Sequence, residues 1–506
     1  MKVYLLGAGP GDPGLLTLKA KEVLAQAQVV VYDALANTEL LDLVRKDAEI
    51  IYVGKVADQH ALPQDQINQL LVQKAQEKGL VARLKGGDPY IFGRGGEEAQ
   101  YLREHKIPFE EVPGISSTIA APAYAGIPLT HRDLVSSVTL ITGHEKAEKS
   151  SSSLNWEALA ASGSTLVFVM GMKNLPLICE NLQKAGLDAN TPAALIYRGT
   201  TPKQRSLVAT LKTLAKEAKA QNFTNPSVIV VGEVVRLKNE LNWFEEKPLF
   251  GQTIVVTRAR EQASDLAKSL EAYGAEVIQC PTIAIQKLED QTELKTALKN
   301  LAQYQWLIFT SANSVKIFFE ELAAQNLDAR SLYPLKICTI GPGTKETLAN
   351  YGLRCDLMPK RFVAESVVEA FLEKFGDNLG HLKILLPRAA KARDILPESL
   401  AKHGAKVQVI PVYKTVAADE GKELVLQRLE EKTLSCITFT STSTVQNFLK
   451  IVKPEVLNQH KEVKLAAIGP ITAKALQDNG LSCDLQPSTY TIEALVATLR
   501  EKLAKT

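Results

Sequence analysis

Residues 2–14 read Lys2-Val3-Tyr4-Leu5-Leu6-Gly7-Ala8-Gly9-Pro10-Gly11-Asp12-Pro13-Gly14, a short apolar run entering a turn made of glycine and proline. Glycine lets a backbone turn sharply and approach a ligand with no Cβ in the way. A dinucleotide-binding fold is the obvious rival, because Asp33 ends the next apolar run about 20 residues on, where a ribose-holding acid would stand. Two features oppose it. Asp12 takes the place of the third glycine, and Pro10 with Pro13 spoils a helix starting inside the turn, leaving no clean helix N-terminus for a pyrophosphate.

Outward from this turn, short β-branched runs alternate with longer helical stretches: LLTLKAKEVLAQA (15–27), VVVYDA (29–34) and EIIYVGK (49–55). The alternation predicts α/β layers around a largely parallel sheet. The chain has 506 residues, too many for one core, so two to four domains are expected. An apolar fraction of 45% without a run long enough to span a bilayer argues against a membrane protein. The N-terminal apolar run leads into a glycine turn rather than a cleavage site, which predicts a cytoplasmic protein. A net charge of +3 is too slight to suggest nucleic-acid binding. The six cysteines show no C-x-x-C pairing and read as small buried apolar residues, and no His, Cys and carboxylate spacing suggests a metal site.

LNWFEEKPLFGQTIVVTRAR (241–260) passes from a charged, proline-bearing turn into a fresh strand, so a domain boundary is expected near 245–250. Ser150 to Ser153 followed by STLVFVMG suggests a linker and a second lobe inside the first half. Beyond the boundary the chain repeats itself. Arg258 and Gly274 align with Arg388 and Gly404, and Ser311 in TSANSV aligns with Ser441 in TSTSTV, each at an offset of 130. Gly341 in IGPGT aligns with Gly469 in IGPIT at an offset of 128. A duplicated βα unit of this length implies two similar lobes and a cleft between them.

A second glycine-rich segment, Arg83-Leu84-Lys85-Gly86-Gly87-Asp88-Pro89-Tyr90-Ile91-Phe92-Gly93-Arg94-Gly95-Gly96-Glu97-Glu98, is followed by VPGISSTIAAPAYAGIPLTHRD (112–133). With YDAL at Asp33, VGK at Lys55, ITGH at His144, VFVMG at Met170 and VVRLKNELNWF, these motifs resemble the uroporphyrinogen-III C-methyltransferases over residues 1–245. The resemblance implies a two-lobed tetrapyrrole-methylase-type half that folds S-adenosylmethionine into a cleft, and a homodimer formed through it. Pro10, Gly86, Gly87, Asp88, Ile91, Ser116, Ser117, Met170 and Gly199 match the family's cofactor-contacting positions; Ser117 departs from the usual alanine, which bears only on side-chain contacts. Asp33 and Lys55 match its candidate proton acceptor and donor, and Lys55 serves equally as an anchor for substrate carboxylates. His131 and His144 read as structural or hydrogen-bonding residues.

Residues 249–506, with their ordered short motifs and their repeat, resemble uroporphyrinogen-III synthase. The resemblance implies cofactor-free closure of hydroxymethylbilane with inversion of its last ring, in a duplicated two-lobed α/β half. Lobes that exchange segments would comprise 250–287 with 415–506, and 288–414. Tyr413 is the candidate for assisting hydroxyl departure, with Ser311, Thr344, Ser441 and Thr472 as substrate-binding residues; Ser311 and Ser441 also suit helix capping. Arg258 and Arg388 reach the cleft or stand as solvated charges. The combined expectation is a bifunctional enzyme that takes small-molecule tetrapyrroles from hydroxymethylbilane through uroporphyrinogen III to precorrin-2, on the sirohaem or cobalamin branch. The alternatives are an NAD-dependent oxidoreductase and a methyltransferase whose C-terminal half is a non-catalytic binding module or scaffold.

Overall fold

The computed structural model describes all residues except 55–61, 144–153, 259, 419–420 and 505–506. Lys55, His144 and the serine run therefore lie outside the described residues. The chain divides into two compact units, one built on Met1–Gln252 and the other on Thr253–Ser269 and Val277–Leu499, with Leu270–Glu276 and Arg500–Thr506 grouped with the first.

The first unit holds two sheets. Strands β1 (Lys2–Gly7), β2 (Val29–Tyr32), β3 (Glu49–Tyr52), β4 (Leu80–Lys85) and β5 (Phe109–Val112) form a parallel sheet in the order β3-β2-β4-β1-β5. Side chains alternate across it, so Val3, Leu5, Val29, Val31 and Val81 enter one apolar layer while Leu6, Val30, Ala82 and Leu84 enter the other. Two covered faces explain the nearly continuous apolar runs of these strands. Strands β6 (Val138–Thr142), β7 (Thr165–Val169), β8 (Pro192–Tyr197), β9 (Arg205–Thr210) and β10 (Ser227–Val231) form the second sheet, in the order β6-β7-β10-β8-β9. It is antiparallel except for the pair β6 and β7.

The second unit also holds two sheets. Strands β11 (Thr253–Val256), β12 (Glu276–Gln279), β18 (Cys436–Phe439) and β19 (Lys464–Ala467) form one, ordered β12-β11-β18-β19. Strands β13 (Ile283–Lys287), β14 (Trp306–Phe309), β15 (Lys336–Thr339), β16 (Lys383–Ala389) and β17 (Lys406–Ala417) form the other, ordered β13-β17-β16-β14-β15. Strands from the start and the end of this unit share the first of these sheets, and the expected lobe boundary departs from the strand pairing. Residues 283–287 and 415–417, all expected with the first lobe, lie in the other sheet, where β13 pairs antiparallel with the end of β17. This pairing covers an edge of β17 that would otherwise expose unpaired backbone groups.

The repeat is visible down to single hydrogen bonds. Asp356 Oδ2 accepts from Ile337 N and Asp484 Oδ2 accepts from Leu465 N, both at 2.8 Å, pinning the edge strands β15 and β19.

Candidate active sites

In the first unit the two glycine-rich segments meet. Gly9 N donates to Gly87 O at 3.2 Å and Gly87 N to Gly9 O at 2.7 Å, a two-residue bridge at the ends of β1 and β4. Gly87 has φ +70°, which a side chain rarely adopts, and a Cβ there would meet nothing nearer than Ser116 Cα and Ser117 N at 3.9 Å. Asp88 organises the next turn with both carboxylate oxygens. Oδ1 accepts from Tyr90 N (2.8 Å) and Ile91 N (3.0 Å), while Oδ2 accepts from Gly114 N (3.1 Å). Its carboxylate thus ties the two loops together before any ligand is considered. Gly86 packs against Leu35, where a Cβ would come within 2.5 Å of the Leu35 Cβ. The loop carrying Asp33 therefore lies against this turn.

Ser116 is buried and caps the helix Ser117–Tyr124, its Oγ accepting from Thr118 N at 3.3 Å. Ser117 begins that helix and is half-buried, as are Pro10 and Ile91. Gly199 packs on the same helix, with room for no Cβ beside Ala121. Met170 directly follows β7, with φ +55° and 48% of its surface exposed, an unusual backbone for a residue that reads in isolation as core. Asp12 N donates to Thr200 Oγ1 at 3.1 Å, so the first turn reaches the loop after β8. Thr200 is buried at φ +71° and Tyr124 Oη donates to Asp12 Oδ2 at 2.6 Å. Burial and that bond to Asp12 raise the Tyr124 phenol above its ordinary range. Neither Thr200 nor Tyr124 was singled out from sequence; only the adjacency of Thr200 to Gly199 hinted at it. Asp12 starts only the short turn Pro13–Leu15, and the next helix, Leu18–Gln26, waits for its own cap at Thr17. The expectation that no helix starts inside the glycine turn holds for an α-helix only: the 3-10 turn Pro13–Leu15 begins there, capped by Asp12, with Pro13 in the first position that proline readily takes.

Asp33 directly follows β2 and joins a buried charge network. Its Oδ2 accepts from Arg83 Nη2 at 3.1 Å, and Arg83, only 3% exposed, also donates from Nε to Glu98 Oε1 at 3.2 Å. Glu98 is fully buried, and the same oxygen takes Lys85 Nζ at 2.8 Å and Gln64 Nε2 at 3.1 Å. Burial, reinforced by the neighbouring Arg83 charge, pushes the Lys85 ammonium below its ordinary range. His131 accepts from Asp133 N through Nδ1 at 3.2 Å, in keeping with a structural role.

In the second unit, Ser311 Oγ lies 3.1 Å from Tyr413 Oη, so the loop after β14 and the strand β17 bring two expected site residues together. Tyr413 sits beside a register shift between Arg388 and Ala389 in the β16–β17 ladder. Arg388 is no solvated charge: its side chain is largely buried and bonded to Asp394 and to Arg393 O. Burial lowers the pKa of the half-buried Arg258. Ser311 and Ser441 both cap helices, accepting from Ser314 N (3.1 Å) and Thr444 N (3.3 Å). Thr344 and Thr472 are buried within the first turns of the helices Pro342–Ala349 and Pro470–Gln477. Among the described residues no group of His, Cys, Asp and Glu is arranged to hold a metal ion, and no helix is long and apolar enough to cross a membrane.

Two family models match the chain: tetrapyrrole (corrin/porphyrin) methylases over residues 2–215 and uroporphyrinogen-III synthase HemD over 264–497. The chain belongs to the family of porphyrin-biosynthesis proteins in which a tetrapyrrole methylase is fused to a HemD-type synthase. A relative from Ruminiclostridium josui, named porphyrin biosynthesis protein HemD, is 39% identical over 99% of this chain and 97% of its own length. A uroporphyrinogen-III C-methyltransferase of Bacillus subtilis (strain 168) is 51% identical over 49% of this chain and 95% of its own. A solved uroporphyrin-III C-methyl transferase from Thermus thermophilus, complexed with S-adenyl homocysteine, is 39% identical over 47% of this chain and 100% of that one, with a TM-score of 0.41.

Proposed function

We propose that the protein closes hydroxymethylbilane to uroporphyrinogen III in residues 249–506 and methylates that product twice, to precorrin-2, in residues 1–245. The observation that carries the first-half reading is the Gly9–Gly87 bridge: a glycine-lined turn from which no α-helix starts, closed by Asp88. Such a turn lets a ligand approach the backbone with no Cβ in the way and suits a folded nucleoside better than a pyrophosphate. Pro10, Gly86, Gly87, Asp88, Ile91, Ser116, Ser117, Met170 and Gly199 would hold S-adenosylmethionine. When bound, that cofactor supplies an electrophilic methyl group and leaves as a neutral thioether, so no acid is needed for its departure. The residues of this chain then align the pyrrole carbon with the methyl group, which accounts for much of the rate. Asp33, whose carboxylate is held in place by Arg83, takes the proton that the methylated ring must lose. Lys55 donates a proton or anchors a substrate carboxylate.

In the second half, the Ser311–Tyr413 pair is the supporting observation. A phenol held by a serine is suited to donating a hydrogen bond to the hydroxyl that leaves hydroxymethylbilane. The resulting azafulvene cation also closes without inversion in water, so holding the chain's shape matters more than acid strength. Calorimetric titration tests the first-half reading. Binding of S-adenosylmethionine and its demethylated product, with no measurable NAD binding, supports it; NAD binding without the sulfonium overturns it.

A further inference from the structure

The repeat extends to a pair of rings that the functional reading above does not use. Leu357-Met358-Pro359-Lys360-Arg361-Phe362 and Leu485-Gln486-Pro487-Ser488-Thr489-Tyr490 occupy equivalent places, 128 residues apart, the same offset that relates Gly341 to Gly469. Matching bridges, Cys338 with Leu357 and Ala466 with Leu485, fix both segments in register on their sheets. In each lobe the aromatic ring lies on the glycine. A Cβ built on Gly341 would stand 3.3 Å from Phe362 Cγ, and one on Gly469 would stand 3.1 Å from Tyr490 Cγ. Both glycines are extended, at φ −166° and −169°, so their conformation is open to any residue. What glycine supplies at both sites is room for the ring.

Packing alone does not account for these rings. Phe362 is 55% exposed and Tyr490 59% exposed, so each has one face on glycine and another in solvent. A ring kept for stability gains most when its full surface is buried. Their place in the fold is also specific. Ile340 N donates to Phe309 O at 3.0 Å and Ile468 N to Phe439 O at 2.9 Å, which sets the Gly341 and Gly469 turns beside those of Ser311 and Ser441. This is the carboxyl end of the parallel strands, where open α/β sheets take their ligands.

We propose that Phe362 and Tyr490 are substrate-binding residues of the synthase reaction, each offering an aromatic face to one pyrrole ring of the linear tetrapyrrole. The inference rests on the synthase reading of the second half and deepens it. Pyrroles are planar and electron-rich, and an aromatic face under one ring in each lobe limits the rotations open to a flexible four-ring chain. Loss of one ring weakens substrate binding and frees the chain to close without inversion.

The test uses the full chain with hydroxymethylbilane, following KM, kcat and the ratio of inverted to non-inverted product. Phe362→Ala and Tyr490→Ala are each expected to raise KM roughly tenfold, as loss of an aromatic contact and its apolar area implies, and to increase the non-inverted share. Tyr490→Phe, which restores the ring, recovers most of the loss seen in Tyr490→Ala. Gly469→Ala, which displaces the ring without removing it, moves KM in the same direction as Tyr490→Ala. Tyr333→Ala, at a site 94% exposed, leaves KM unchanged. Methylation of uroporphyrinogen III by the same preparations reports that the chain is folded. Wild-type KM and isomer ratio in both alanine variants overturn the proposal while leaving the synthase reading intact. Failure of the unaltered chain to make any inverted product removes the synthase reading, and this inference falls with it.

Discussion

Ser311 Oγ and Tyr413 Oη stand 3.1 Å apart although 102 residues separate them in the chain. The same serine oxygen accepts from Ser314 N at the start of the helix Ala312–Ala324, so helix capping and positioning of the phenol share one atom.

Tyr413→Phe removes the hydroxyl and leaves the cap. Stability is expected to fall by only about 0.5–1.5 kcal/mol, while formation of uroporphyrinogen III slows by roughly tenfold or more. Methylation of added uroporphyrinogen III should be unchanged. Assaying the two reactions separately checks this, and equal synthase rates in both chains would remove Tyr413 from the chemistry.

Glu98→Gln leaves Lys85 buried without the carboxylate it pairs with and leaves Arg83 with Asp33 alone. Breaking a buried ion pair on one side costs about 3–5 kcal/mol, so the urea midpoint of the first unit should drop well below that of the unaltered chain. Glu104→Gln, an exposed change on the same helix, should move it by less than about 0.5 kcal/mol.

Gly87→Ala and Gly163→Ala impose the same backbone strain, at φ +70° and +64°, and neither new Cβ meets an atom closer than 3.9 Å. Both should lose about 1–2 kcal/mol of stability. Only Gly87→Ala should weaken S-adenosylmethionine binding, because its methyl group enters the space bounded by Ser116 and Ser117. Calorimetric affinities for the two variants separate strain from obstruction.

Buried thiols give the protein an alkaline limit. Burial pushes Cys179 up to about 11 and Cys338 up to about 12, from an ordinary value of 9.0. Above pH 9 the unfolded chain ionises these groups while the folded chain keeps them protonated, so their contribution to stability is present below pH 9 and is lost progressively as pH rises toward 11 and 12. The urea midpoint measured from pH 8 to pH 11 should fall. At pH 8 a thiol reagent should leave both cysteines unmodified until the chain is unfolded.

The sequence made the sheets legible because short continuous apolar runs such as Val29 to Val31, buried on both faces, alternate with helical stretches. The repeat also survived translation into structure, since Gly341 and Gly469 open equivalent helices. The charge network was not legible. Arg83 and Lys85 alternate with Leu84, the pattern of a strand with one solvated face, and only the fold reveals Glu98 arriving from the helix Gly95–Glu104 to neutralise them. The β13 boundary was missed for a related reason: pairing partners of an edge strand are set by tertiary contacts that local pattern does not encode. Thr344 and Thr472, read as binding residues from their place beside glycine turns, are buried, and the rings of Phe362 and Tyr490 are what those turns leave exposed.

Hydroxymethylbilane converted in one vessel, with and without S-adenosylmethionine, tests the two-site reading most directly. The expected result is uroporphyrinogen III alone without the methyl donor and precorrin-2 with it. Recovery of only the non-inverted isomer, with no methylated product when the donor is present, would contradict it.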